Sequence, residues 1–497
     1  MKKTKNGTSD NMNINKIKTL GDLEKAGYAS RSIKDELRQN LIAKLKNKEP
    51  IFEGIIGYEE TVVPQLKHAI LAKHAINLLG LRGQAKTRIA RSMVSLLDEY
   101  IPVIAGSPIN DDPFCPISSY GKALVAEKGA KTPIEWLHRS ERFYEKLATP
   151  DVTVADLIGD IDPIKAATQK LTYADEGVIH YGMIPRANRC IFVINEIPDL
   201  QARIQVALFN ILQEGDIQIR GFKMRLPLDL QFIFTANPED YTNRGSIVTP
   251  LKDRIGSQIL THYPKSIEIA KKITQQEIIA EAKNENIVVP ETAKTLLEQI
   301  VFEARQSDYI DANSGVSARM SITMYENLMA AAEIRMLQHG ETSTSVRMAD
   351  FDAIVPAITG KVELVYEGEQ LGSEAVAYQL IGMAIKTLFN QMYRPIKKLK
   401  KPTSPDEFDA VVNWFVENSN FELGNDLSDA AYAALLNKIK PMQEVLDAYV
   451  GEVAAVEKVF LQELLLWGLV EYKQLSKRKM NEGILFEDEL LGGLYDK

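Results

Sequence analysis

The sequence predicts an α/β protein: a three-layer αβα core around a parallel five-stranded sheet, followed by two all-α regions. Three observations predict it. Short apolar runs suited to buried strands recur at AINLL, IPVIA, CIFVINEI, LQFIFTA and SQILTHY, with helical or loop-like stretches between them. One of these runs leads into a glycine-bearing loop and a helix, INLLGLRGQAKTRIARSM, from Ile76 to Met93. Beyond Pro264 the spacing turns helical and no strand-like run interrupts it.

Residues 1–50 read as a polar N-terminal tail and one helix. The start, MKKTKNGTSDNMNINKIK, lacks the apolar stretch of a secretory signal, and SIKDELRQNLIAKLKNKEP is an amphipathic helix stopped by Pro50. Residues 51–264 form the α/β domain. Residues 265–366 follow with SIEIAKKITQQEIIAEAKNE, PETAKTLLEQIVFEARQS and SARMSITMYENLMAAAEIRMLQ, all helical by period. Residues 367–497 are a C-terminal helical region with a loop at KKPTSPDEF. Its longest apolar run, VFLQELLLWGLVEY, is interrupted by Glu463 and falls short of the roughly 20 apolar residues a membrane span needs.

At 497 residues, two to four domains are expected. A hydrophobic content of 45% and a charged content of 25% are those of an ordinary globular chain. The net charge of -8 and pI near 5.6 argue against a dedicated nucleic-acid binder. Two distant cysteines, Cys115 and Cys190, give no disulfide framework and suit a reducing compartment, so the expected location is cytoplasmic. The six histidines lack metal-ligand spacing.

The loop GLRGQAKT has the order and composition of a phosphate cradle. Gly80 and Gly83 let the backbone curl around an anion, with Gln84 and Ala85 completing the turn. Lys86 would reach terminal phosphates and Thr87 would offer its hydroxyl to Mg2+. Such a pattern arises by chance in roughly one chain per hundred of this length at average composition, so context decides. Downstream, CIFVINEIPDL ends a buried-strand run in Asn195-Glu196, placing an acid where it can polarise an attacking water. LQFIFTANPED ends in Asn237, suited to orienting that water or sensing a γ-phosphate. Arg254 in TPLKDRIGSQI and Arg319 in GVSARMSITMYENL carry the planar fork that pairs with phosphate oxygens. Taken singly these residues read as surface features; chain order and strand-end placement join them into one nucleotide site.

GLRGQAKT, VINE, TANPED, PLKDRIG and SARMS resemble the Walker A, Walker B, sensor 1, arginine-finger and sensor 2 motifs of an AAA+ ATPase. The chain is similar to the magnesium chelatase small-subunit and MoxR clade, the helix-2-insert group, over roughly Ile51 to Leu364. Ala85 before the lysine is common in the MoxR branch. IIGYEETVVPQL resembles the segment beside the adenine, which assigns Ile56 and Gly57 to the nucleotide. LIGDIDPIKAATQK with ADEGVIHYGMIPRANRC, and DIQIRGFKMRLPLDLQFIFTANP, resemble the insertion hairpins that face a client around Ile179 and Gly221.

The resemblance implies ATP and Mg2+ as cofactors, a homo-oligomeric ring, hexameric in the family, and residues 265–366 as the lid. Glu196, Asn237 and Arg254 would be catalytic, the last reaching a neighbouring subunit's ATP; Arg319 would report loss of the γ-phosphate. Thr87 and Asn195 would serve Mg2+. It also implies a partner with a von Willebrand factor A domain. Two departures stand out. Asn195 replaces the usual Walker B aspartate, which predicts slower or more Mg2+-demanding hydrolysis. Only Cys115 stands where chelatase subunits often carry several cysteines, which points to a relative outside chlorophyll synthesis. The alternatives are a regulatory scaffold that binds ATP with little hydrolysis, and an insert-bearing AAA+ protein acting on nucleic acid through Arg220, Lys223 and Arg225.

Overall fold

A computed structural model describes residues 14–162, 164, 168, 178–214, 216–219, 225–238, 246–278, 284–396, 408–418, 421–424, 427–479 and 483–488. Most of the expected polar tail, the hairpin tip at Gly221, Arg220, Lys223 and most of KKPTSPDEF lie outside these residues. The chain divides into two compact units, 1–262 and 263–497.

In the first unit a short helix, Leu20–Ala26, precedes α1 (Ile33–Asn47), whose N-cap Ser32 accepts from the Asp35 N–H at 3.2 Å. α2 (Val62–Leu71) follows, then β1 (Ile76–Leu79) and α3 (Lys86–Ser92). The remaining strands are β2 (Phe143–Leu147), β3 (Cys190–Asn195), β4 (Leu230–Ala236) and β5 (Ser257–Leu260). α4 (Ala202–Glu214) lies between β3 and β4, and α5 (Thr249–Arg254) between β4 and β5. The sheet order is β5-β1-β4-β3-β2, every neighbouring pair parallel.

Alternation along the strands divides the core into two layers. Ile76 and Leu78 of β1, Ile191 and Val193 of β3 and Ile233 of β4 pack with Ile33, Leu37 and Leu41 of α1. Phe192, Ile194, Phe232 and Phe234 point the other way, onto Ile204 and Leu208 of α4. Thus α1, placed with the leading segment by the sequence reading, physically covers one face of the sheet.

One expected strand is misplaced. IPVIA does form a strand, Tyr100–Ile104, but it pairs antiparallel with Ile134–His138, apart from the main sheet. The fifth place belongs to FYEKL, β2, at the sheet's edge. An edge strand with half-exposed charges does not give the continuous apolar run of a central parallel strand.

The second unit has one continuous apolar core from Ile287 to Phe486. It packs α6 (Glu291–Gln306), α7 (Arg319–His339), α8 (Ser373–Met392) and α9 (Ala455–Glu471). The expected lid and C-terminal region therefore share one interior. The helical reading holds in the main, with two additions: a parallel pair, Ile287–Val288 with Thr344–Ser345, and an antiparallel three-stranded sheet of Glu422–Gly424, Gly483–Asp488 and Leu475–Lys479. Among the described residues no helix is long and apolar enough to cross a membrane.

Candidate nucleotide site

The loop leaves the carboxyl end of β1, between β4 and β5. Gly80 leaves room for two polar side chains: an added Cβ would lie 1.9 Å from Thr261 Oγ1 and 2.2 Å from Gln84 Oε1 and would displace both. Those two groups are themselves hydrogen-bonded at 2.7 Å, fastening the loop to the residue after β5. Gly83 has φ +72° and Ala85 φ +55°, both left-handed. Ala85 therefore occupies a conformation that favours glycine, at a physical cost to an L-residue. α3 then starts at Lys86. Tyr58, buried just after Ile56 and Gly57, donates to the Gln84 and His262 carbonyls at 3.0 and 2.7 Å, so the expected adenine-side segment is tied to the loop.

Lys86 brings the strand ends together. Its Nζ donates to the Gly80 and Leu81 carbonyls at 2.5 and 2.9 Å and to Asn237 Oδ1 at 2.6 Å. The lysine thus links the cradle to the end of β4. On β3, Asn195 and Glu196 are both held by Thr235, a buried residue of β4. Thr235 Oγ1 donates to Asn195 Oδ1 at 3.1 Å and accepts from the Glu196 N–H at 3.1 Å. Glu196 sits at φ +56°, an uncommon conformation for a non-glycine residue. Asn195 Nδ2 donates to Glu145 Oε1 at 2.6 Å, and Arg91 of α3 pairs with Glu145 Oε2 at 2.7 Å.

Arg254 lies elsewhere. It ends α5, three residues before β5 begins, at the amino edge of the sheet. Ile76 pairs with Ser257 and Leu79 with Leu260, so the loop departs from the opposite edge. The strand length alone separates the two edges by on the order of 10 Å. The Arg254 guanidinium sits 4.2 Å over the Phe209 ring of α4 and donates to the Pro250 carbonyl at 3.2 Å. Arg319 is exposed and heads α7 in the second unit, its N–H donating to Ser317 Oγ at 3.1 Å.

Sequence reasoning missed Tyr58, Thr235 and Glu145; the first two act through bonds to residues distant in sequence, and Glu145 lies in the strand that went unread. Among the described residues no group of three or more His, Cys, Asp or Glu side chains could hold a metal ion. The donors that fit Mg2+ here are hard oxygens: the Thr87 hydroxyl at the head of α3 and carboxylates at the strand ends, with phosphate and water supplying the rest. Burial pushes the Cys190 thiol up to about 12, leaving it a neutral core residue.

A sequence-family profile described as AAA domain (dynein-related subfamily) matches residues 121–255, a stretch that holds Asn195, Glu196, Asn237 and Arg254 and begins after the loop. The magnesium-chelatase subunit ChlI of Nostoc sp. is 28% identical over 235 residues, 45% of this chain and 58% of that protein. The magnesium-chelatase 38 kDa subunit of Cereibacter sphaeroides is 25% identical over 238 residues, 44% of this chain and 61% of that protein. The chain thus matches less than two-thirds of either relative's length. Among solved structures, a BchI–BchD complex of magnesium chelatase is 18% identical with a TM-score of 0.34, covering 65% of this chain and 99% of that one. The Thermotoga maritima RuvB branch migration motor is 12% identical with a TM-score of 0.31, covering 94% of both chains. With its sheet order, cradle and strand-end residues, the chain carries an AAA domain and is magnesium-chelatase-like.

Proposed function

We propose that the protein is a ring-forming AAA+ motor that binds ATP with Mg2+ between subunits, hydrolyses it and uses the cycle to remodel or activate a partner protein. The observation that carries this reading is the split of the site between opposite edges of the sheet. Lys86, Asn237 and Glu196 gather at the carboxyl edge, while Arg254 stands at the amino edge. An arginine placed away from its own chain's loop supports a role at the triphosphate of another copy, where such a finger is worth about 10³–10⁵ in rate.

In this reading the Gly80–Ala85 backbone and Lys86 hold the phosphates. Glu196 takes a proton from the attacking water and Asn237 orients it. Mg2+, when bound, would neutralise charge on the phosphate oxygens. Arg319 would sense the γ-phosphate from the helical unit. A homo-oligomeric ring, MoxR-clade membership and a von Willebrand factor A-domain partner follow from the resemblance stated above and are proposed on that ground.

The test mixes two inactive proteins. Arg254→Ala should bind ATP without hydrolysing it, Lys86→Ala should lose binding, and their mixture should recover turnover. Absence of rescue at every mixing ratio would remove the shared site. Asn195 favours a second reading, an ATP-binding scaffold with little hydrolysis. Phosphate release by the wild type, compared with Glu196→Gln, separates the two: equal rates support the scaffold.

A further inference from the structure

The end of β3 offers an amide where the resemblance leads one to expect a carboxylate. That amide is fixed by two bonds of opposite sense: Asn195 Oδ1 accepts from Thr235 and Nδ2 donates to Glu145 Oε1 at 2.6 Å. The N–H dipoles of Asn195 therefore face β2, where they meet the carboxylate of Glu145. Glu145 pairs with Val193 across the β2–β3 ladder, two residues before Asn195. Its second oxygen accepts from Arg91 at 2.7 Å. Arg91 lies four residues after Thr87, on the same face of α3 one turn along. Glu145 is thus held beneath the helix face whose first turn presents the threonine hydroxyl. The Arg91 side chain is 66% exposed and that of Glu145 only 23%. The arginine can leave while the carboxylate stays.

We propose that Glu145 supplies the magnesium-side carboxylate that Asn195 cannot. Asn195 is then the positioning residue that aims Glu145, and Arg91 is the counter-ion that Mg2+ would replace. The donor chemistry suits Mg2+, which binds through one or two carboxylates plus phosphates and keeps several waters. The assignment rests on the nucleotide reading above and names which side chain carries the charge within it.

The experiment titrates the full-length protein and a fluorescent, non-hydrolysable ATP analogue with MgCl2, alongside a parallel series in EDTA. Glu145→Gln should raise the Mg2+ concentration for half-maximal binding by about tenfold or more, the usual cost of losing a metal-directed group, with little change in EDTA. Arg91→Ala, an exposed substitution that spares the core, should lower it by freeing the carboxylate. Adding Asn195→Asp to Glu145→Gln should restore the response. An unchanged Mg2+ midpoint in Glu145→Gln with analogue binding intact overturns this assignment alone, as does an unchanged midpoint in Arg91→Ala. A wild-type protein that binds no analogue with or without Mg2+ overturns the nucleotide reading along with it.

Discussion

At the scale of single residues, the site is held by groups that touch no phosphate in the mechanism proposed. Thr235 is the clearest case, because one hydroxyl fixes both Asn195 and the Glu196 backbone. Thr235→Val keeps the volume and removes both bonds, each worth about 0.5–1.5 kcal/mol. The expected result is a loss of about tenfold in kcat with ATP affinity retained; steady-state kinetics beside analogue binding checks it, and an equal loss in both would make Thr235 merely structural. Ala85 gives the opposite kind of prediction. Its φ of +55° costs an L-residue about 1–2 kcal/mol that glycine does not bear. Ala85→Gly should raise the unfolding free energy measured in urea by about 1 kcal/mol after the extra unfolded-state entropy of glycine is subtracted. Lys86, Glu196 and Asn237 were legible in the sequence because their chemistry and chain order are distinctive. Thr235 and Tyr58 were not, because their importance lies in partners 26 or more residues away that only the fold brings near.

Among the elements, β1, β3 and β4 were readable for one reason: each is flanked by strands on both sides and covered on both faces, so its apolar run stands out, whereas β5 is an edge strand with only Ile259 buried. β2 was hidden by the charges that make it useful, Glu145 among them. α1 was readable as a helix but not as part of the sheet's cover, because its apolar stripe does not name its partner and part of its attachment is a buried ion pair. Glu36 and Arg142, 2% and 1% exposed, meet through two 2.7 Å bonds, and Arg142 Nε also donates to the Arg189 carbonyl at 3.0 Å. Glu36 Oε1 also accepts the Asp98 N–H at 2.7 Å. Removing one partner strands a buried charge. Glu36→Ala should therefore cost about 3–5 kcal/mol in chemical denaturation. Replacing both members with apolar residues of similar volume should cost far less. If the single and double variants are equally destabilised, the pair is not what fastens α1.

At the scale of the whole molecule, each unit has its own core, and the second contains a proton-linked weak point in its centre. Glu463 interrupts the apolar run of α9 and is 1% exposed. Oε1 accepts from the Tyr432 hydroxyl and from the Met348 N–H at 3.1 Å, while Oε2 is buried without a partner. Burial pushes this carboxyl up to about 7 from an ordinary 4.5, against the lowering effects of those two bonds and of Arg347. Between those values the folded state binds more protons than the unfolded chain, so stability falls as pH rises. The contribution is complete below about pH 4.5, fades towards pH 7 and leaves a deficit of about 3 kcal/mol above it. Glu463→Gln keeps an acceptor for Tyr432 and Met348 and cannot ionise. It should match the wild type at pH 5 and exceed it at pH 8, where a shift of a few degrees in the melting temperature is expected. Because one apolar core runs from Ile287 to Phe486, the whole second unit should feel the change. Melting curves of both proteins across pH 5–8 decide the matter: two parallel lines would mean that Glu463 is already ionised in the fold, with its charge met by Arg347.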